Sequence, residues 1–261
     1  IKIYIKVPIL SELKSKGESP EYLFWVGCAG SFDDRSKKVT KAFVKILNKA
    51  NISYAILGKE ESCTGDPAKR AGNEFLFQMK AIANIEILNS YSIKNIITTC
   101  PHCFNTIKNE YPELGGNYNV IHHTTFINNL IKENRISIGG GYYKGKRITY
   151  HDPCYLGRAN GIYEAPREVI EKLDAELVEM KSCKSKSLCC GAGGAQMFKE
   201  PEKGNQDINI KRSEEAINSD SEIVAVSCPF CNTMMSDGMT SKEKNINVLD
   251  IAQMIEKAED L

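Results

Sequence analysis

The sequence carries no surplus of charge of either sign, since 34 Lys and Arg stand against 33 Asp and Glu. Binding along a phosphate backbone draws on clustered positive charge, so nucleic acid is not an expected partner. No apolar run approaches the roughly 18 residues needed to cross a bilayer, and no secretory leader is visible. The first residue is Ile1 rather than Met, so the expectation is a piece of a longer polypeptide or one that has lost upstream residues. Phosphate-loop and dinucleotide patterns are missing too, because no Lys-Ser/Thr follows Gly193-Gly194. A disulfide framework is not expected either, as such scaffolds are short and loop-rich.

What the sequence does have is cysteine, ten of them. Without a leader they imply a reducing, cytoplasmic setting in which thiols serve metals or catalysis. Most fall into one pattern that occurs twice. Cys28, Cys63, Cys100 and Cys103 recur as Cys154, Cys189, Cys228 and Cys231, displaced by 126, 126, 128 and 128 residues. The second copy adds Cys190, giving Cys-Cys-Gly, where the first has Cys63-Thr64-Gly65.

The intervening sequence repeats in step. Short apolar runs at 22–27, 53–57 and 95–99 read as strands, with helical spacing at 39–49 and 73–90. Runs at 147–151, 176–180 and 223–227 replay them, with helices at 166–173 and 209–217. Asn119-Val120 matches Asn247-Val248, and each is followed by a helix, 124–132 and 251–257. This alternation predicts an α/β protein of two duplicated, pseudo-symmetric domains with mainly parallel sheets. We place an irregular lead-in at 1–20, a first cysteine-rich repeat at 21–138 and a second at 139–261. Every cysteine group follows a predicted strand, so all should converge at the carboxyl ends, where parallel sheets bind ligands.

Soft thiolates from remote points of one domain are what an iron–sulfur cluster requires. Cys154, Cys189, Cys190, Cys228 and Cys231 exceed the four ligands of tetrahedral zinc and of a regular cubane, which points to a larger iron–sulfur unit. Cys189 and Cys190 can both reach it only if Gly191 bends the backbone. Cys28, Cys63, Cys100 and Cys103 suit a regular cubane, a zinc ion, or a cluster with one iron left open. His102, His122, His123 and His151 lie beside these groups and are candidates to donate hydrogen bonds to sulfur or pass protons. Arg35, Arg70, Arg158 and Arg167 are candidates for an anionic substrate, with ordinary surface charge the leading reading of each taken singly; Asp152-Pro153 reads as a turn device, and Cys183 as a free buried thiol.

The series Cys, Cys-Cys-Gly, Cys-Pro-x-Cys resembles the cysteine-rich domain of the catalytic B/D-type subunit of heterodisulfide reductase, from about Glu21 to Leu261. It also resembles iron–sulfur oxidoreductases associated with electron-transfer flavoprotein, through Glu61–Ala68, Arg70–Glu74 and Cys100–Thr106. The resemblance implies a non-cubane four-iron cluster on the five cysteines of the second repeat, with an open iron able to take a substrate sulfur. At the first repeat an iron–sulfur cluster or zinc is expected. The implied activity is that of an oxidoreductase. Electrons would come from a ferredoxin-like iron–sulfur subunit or domain, an electron-transfer flavoprotein or another flavoprotein, and go to a quinone or a disulfide. A membrane subunit or an upstream region would supply any membrane association. The alternatives are a non-catalytic electron-wiring module and a zinc-stabilised binding protein.

Overall fold

A computed structural model describes residues 7–139, 141–200 and 203–261. The first half runs α1 (Leu10–Ser15), β1 (Tyr22–Trp25), α2 (Gly27–Phe32), α3 (Asp34–Lys49), β2 (Tyr54–Ala55), α4 (Asp66–Arg70), α5 (Glu74–Ser90), β3 (Asn95–Thr98), α6 (Pro101–Asn105), β4 (Asn119–His122) and α7 (His123–Lys132). The second half runs β5 (Arg147–Tyr150), α8 (Glu164–Lys172), β6 (Glu176–Leu177), α9 (Ile208–Ile217), β7 (Ile223–Val226), α10 (Pro229–Ser241), β8 (Asn247–Asp250) and α11 (Ile251–Ala258).

Each half builds one four-stranded, all-parallel sheet, in the order β2-β1-β3-β4 and β6-β5-β7-β8. The central strands β1, β3, β5 and β7 are short and nearly fully buried, as continuous apolar runs covered on both faces should be, while the edge strands β4, β6 and β8 are partly exposed. The order of strand connection reverses between β1 and β3, and again between β5 and β7, so the carboxyl ends of those pairs flank a natural crevice.

Alternate strand residues face opposite layers. Phe24 and Ile97 point inward with Ile148, Tyr150 and Ala225 of the other sheet, forming one core with Phe43, Leu47, Phe126, Val169, Ile170, Ile251 and Ile255. Leu23, Trp25 and Ile96 point outward onto Phe77, Leu88, Phe104 and Tyr111, as Val224 and Val226 do onto Ala216, Met235 and Met239. The central helices pack reciprocally, α3 on α11 and α7 on α8. Lys45 and Lys49 tie α3 to Glu256 and Glu259 at 2.6 and 2.7 Å. The two sheets thus share one core, with the cysteine groups at their carboxyl ends.

Residues 1–6 of the expected lead-in lie outside the described residues. The rest is more ordered than expected, because a fully buried Leu10 opens α1 and Ile9 bridges Ile56 beside β2. Among the described residues no helix is long and apolar enough to cross a membrane.

Candidate metal centre

Cys28, the Cys100/Cys103 pair and the Cys228/Cys231 pair pass from strand ends into helix starts, whereas Cys154 opens a turn after β5 and Cys63, Cys189 and Cys190 sit in loops. Gly27, at φ +77°, turns the chain from β1 into α2, and a side chain there would meet the Cys103 Sγ at 3.4 Å. Cys100 and Cys228 are the N-cap residues of α6 and α10, and Pro101 and Pro229 occupy the first helical position, where a missing N–H costs nothing. Cys103 and Cys231 lie in the first turn of those helices, so each pair projects into the crevice.

The middle thiols depend on glycine. Gly65 and Gly191 adopt almost the same left-handed conformation, φ +89° and +90°. Their N–H groups donate to the sulfur two residues earlier, to Cys63 at 3.5 Å and to Cys189 at 3.3 Å. Amides aimed at sulfur stabilise a thiolate or a metal-bound thiolate. The bend expected at Gly191 is therefore present, and it persists in the first half although Thr64 stands where Cys190 would be.

In the second half the five thiols shift one another's ionisation in succession, Cys154 with Cys189, Cys189 with Cys190, Cys190 with Cys231 and Cys231 with Cys228. The Cys190 and Cys231 sulfurs are 3.3 Å apart, and none of the ten cysteines is in a disulfide. Hydrogen bonds from Cys154 and Cys190 push the Cys189 thiol down. Burial resists ionisation of Cys228, but bonds from Cys231 and His102 hold it at about 5. Thiols that deprotonate this readily are prepared for a metal.

In the first half Cys28 and Cys63 shift each other's ionisation, as do Cys100 and Cys103. The bond from Cys28, with a further one from the Gly65 N–H, holds Cys63 at about 6. Thr64 is 2% exposed, and its hydroxyl faces the Cys103 sulfur at 3.9 Å. It fills the fifth position with a group that does not supply a thiolate. An apolar cleft of about 580 Å³, walled by Phe24, Val26, Phe32 and Val44, opens onto Cys28 and Cys63. At its base Glu61 accepts the Val26 and Gly27 N–H groups at 3.0 and 2.6 Å.

The variable residue of each Cys-Pro-x-Cys crosses to the other half. Phe230 lines the cavity formed by Cys28, Cys63, Cys100 and Cys103. His102 stacks against Phe230 and Tyr155 and bonds the Cys228 sulfur. Its Nδ1 lies 2.8 Å from Asp66, which Arg70 also contacts at 3.1 Å. Burial opposes a charge on His102, yet Asp66 and Cys228 raise its pKa well above the usual histidine value.

The remaining histidines separate by role. His151 is 1% exposed and brings one ring nitrogen close to the Cys190 and Cys231 sulfurs, and since Arg212 occupies Nδ1, Nε2 is the nitrogen left free. Burial, reinforced by the Arg212 charge, pushes its pKa down to about 3. His122 is fully buried, with Nδ1 on the Thr124 hydroxyl at 2.8 Å, and burial holds it neutral. His123 instead faces the core, bonding Asp250 at 3.0 Å and packing edge-on against Phe43. It stabilises the junction of the halves and does not approach the thiols.

The arginines considered for an anionic substrate are engaged in pairs and bonds of their own. Arg167 clamps Asp152 with two bonds of 2.8 and 2.9 Å and also holds Glu179. Arg70 pairs with Asp66 and Glu110, Arg35 with Asp237, and Arg158 with the Ser187 carbonyl. Asp152, besides Arg167, accepts the Lys184 N–H at 2.7 Å, so it anchors the loop ahead of Cys189. Cys183 is half-buried rather than buried and stands apart from both thiol groups. Asp66 and Arg212 escaped the sequence reading. Asp66, three residues after Cys63, carried a readable signal as the start of α4, whereas Arg212 sits within a predicted helix and nothing in its spacing distinguishes it.

The family model described as "Cysteine-rich domain" (CCG) matches residues 22–108 and again 148–236. Among curated relatives, "EtfAB:quinone oxidoreductase" of Syntrophomonas wolfei is 41% identical over 94% of this chain and 35% of its own length. "Probable iron-sulfur-binding oxidoreductase FadF" of Bacillus subtilis is 41% identical over 96% of this chain and 36% of its own length. A polypeptide of the "Dihydromethanophenazine:CoB--CoM heterodisulfide reductase" of Methanosarcina barkeri is 32% identical, covering 92% of this chain and 59% of its own length. The chain thus spans little more than a third of the first two relatives.

Proposed function

The chain belongs to the cysteine-rich CCG domain family, and from that premise we propose that it is the redox module of an iron–sulfur oxidoreductase of heterodisulfide-reductase type. In this reading Cys154, Cys189, Cys190, Cys228 and Cys231 hold a non-cubane four-iron cluster, and Cys28, Cys63, Cys100 and Cys103 hold an iron–sulfur cluster or zinc. The observation that carries it is five thiols from three remote segments gathered at the sheet ends, each shifting the ionisation of the next and with Cys190 and Cys231 in contact at 3.3 Å, which is more sulfur than zinc or a cubane needs. The donor chemistry fits, since the thiols are unpaired, several are easily deprotonated, and backbone amides point at two of them.

When bound, such a cluster supplies one-electron chemistry and an iron able to take an acceptor's sulfur. The chain's own residues prepare the place for it. Cys190, Cys228 and Cys231 are 1–3% exposed and keep bulk water away. Gly191 aims an amide at Cys189. His102, backed by Asp66, presents a proton at the boundary between the two thiol groups, where an acceptor leaving as thiol or hydroquinone would need one.

The acceptor is a disulfide or a quinone. The donor is a flavoprotein or a ferredoxin-like subunit, the first in keeping with the name that the longer Syntrophomonas relative carries. Among these, the electron-transfer-flavoprotein pathway with a quinone is preferred, because the two relatives at 41% identity include the one named for it.

The test is anaerobic purification with counts of iron, sulfide and zinc, followed by paramagnetic resonance of the reduced and oxidised protein. Iron with matching sulfide, and loss of part of both in Cys190→Ser, is the expected result. Zinc in place of iron at both sites, with no sulfide, would sink the reading.

A further inference from the structure

His151 stands three residues before Cys154, at the end of β5, and its Nε2 has no hydrogen-bond partner among the described residues. One ring nitrogen of His151 and the sulfurs of Cys190 and Cys231 lie within 4.8 Å of one another. That proximity allows two roles, metal ligand or hydrogen-bond donor. They demand opposite tautomers, because a ligand needs its lone pair on Nε2 and a donor needs its proton there.

The other ring nitrogen decides between them. Arg212 donates its Nε–H to His151 Nδ1 at 3.0 Å. A guanidinium has donors only, so Nδ1 must offer a lone pair, which leaves the proton of the neutral ring on Nε2. The reverse tautomer would set two N–H groups against each other in a fully buried place, an arrangement that forfeits a hydrogen bond to each. Arg212 cannot turn aside, for it is itself fully buried. Its remaining nitrogens bond the Ser182 carbonyl at 2.8 Å, Glu215 at 2.5 Å and the Ser187 hydroxyl at 3.1 Å.

The first half gives an independent parallel. Trp25 stands three residues before Cys28, is fully buried, and its Nε1–H is likewise unpartnered among the described residues. An indole N–H can donate and cannot ligate. The same station thus carries a donor in both repeats.

We propose that His151 is a dedicated N–H donor to the sulfur of the second-repeat centre and not one of its ligands, with Arg212 as the positioning residue that fixes its tautomer. This rests on the proposed iron–sulfur function. A donor to ligand sulfur stabilises the more negative, reduced state, so it raises the centre's potential without altering its composition.

Two measurements test it. Nitrogen-15 histidine spectra of the metal-free full chain, assigned with a His151→Gln variant, should show the Nε2–H tautomer for His151. An Nδ1–H tautomer would overturn the proposal whatever metal the protein takes. In protein loaded with iron and sulfide, His151→Leu should keep the wild-type iron count and shift the potential of the second centre to a more negative value. His151→Gln, whose side-chain amide can still donate from the Nε2 position, should restore most of that shift. An unchanged potential in His151→Leu, or iron lost from both variants, would refute the donor role. If the wild-type chain assembles no iron–sulfur group at all, the functional reading fails, and the tautomer spectrum alone retains or rejects His151 as a donor.

Discussion

The two halves share a frame and differ in what they hang on it. Both use the same strand order, the same left-handed glycine after the middle cysteine, and the same Cys-Pro-x-Cys helix start. Only the second has a fifth thiol, since Thr64 replaces it in the first. The surroundings diverge too. Behind the second thiols lies an ionic network of Arg167, Asp152 and Glu179, while Arg212 braces His151. Behind the first lie Trp25, Phe77, Phe104 and Tyr111, and the charged group beside it, Asp66 with Arg70 and Glu110, bonds His102 and so faces the other half. The lesson is that backbone geometry at the sheet ends is kept by packing, so the number of ligands can change without disturbing the frame.

Restoring the missing thiol should erase that difference most directly. Thr64→Cys places a fifth sulfur beside Cys103, and after anaerobic loading the first half is expected to take up iron and sulfide in the ratio of the second. Iron counts identical to those of the wild type would show that more than one residue separates the two. Next in size is the network found only in the second half. Arg167→Leu strands Asp152, which is 4% exposed, as an uncompensated charge, at a cost of about 3–5 kcal/mol. Urea unfolding of the metal-free protein measures it, and a change below about 1 kcal/mol would mean that the clamp contributes little.

A smaller effect separates the two glycines. Alanine at either pays about 1–3 kcal/mol for a left-handed backbone. At Gly65, however, the added carbon would come within 2.9 Å of the Phe77 ring and 3.2 Å of its carbonyl, against 3.2 Å from the Ile208 side chain at Gly191. Gly65→Ala should therefore lower Tm more than Gly191→Ala, and the opposite order would contradict the packing.

The smallest effect concerns the central helices. Asp33 caps α3 through the Ser36 N–H at 2.7 Å, whereas Tyr163 at the start of α8 makes no side-chain cap. Asp33→Ala should cost about 1 kcal/mol. Burial works against the Asp33 charge, but that N–H holds its carboxyl below the usual range. The contribution is thus present above the ordinary aspartate pKa and fades as pH falls through the lowered one. Wild-type and Asp33→Ala stabilities should converge on acidification, and a gap that persists at pH 2 would count against the cap.

Much of the fold was legible because parallel strands buried on both faces are written as apolar runs. Leu23, Phe24 and Trp25, and Ile96 and Ile97, mark their own burial. The helices of the Cys-Pro-x-Cys segments were not foreseen. A proline after a cysteine carries no helix signal of its own, and only the strand end before Pro101 and Pro229 makes them helix starts. The histidines were picked out by adjacency to cysteine, which could not tell His151, turned toward the thiols, from His123, turned into the core. The arginines looked free because their partners, such as Asp152 for Arg167 and Asp66 for Arg70, are contacts that no periodicity announces.

By itself the sequence determined that there are two repeats, which thiols belong to each, and that one set is a sulfur short, because these follow from residue identity and interval. Only the tertiary structure decided which groups face which sulfurs. Side-chain direction at a strand end depends on the neighbouring sheet. The crossing of His102 and Phe230 between halves, like the pairing of Arg212 with His151, exists only once the two sheets share a core.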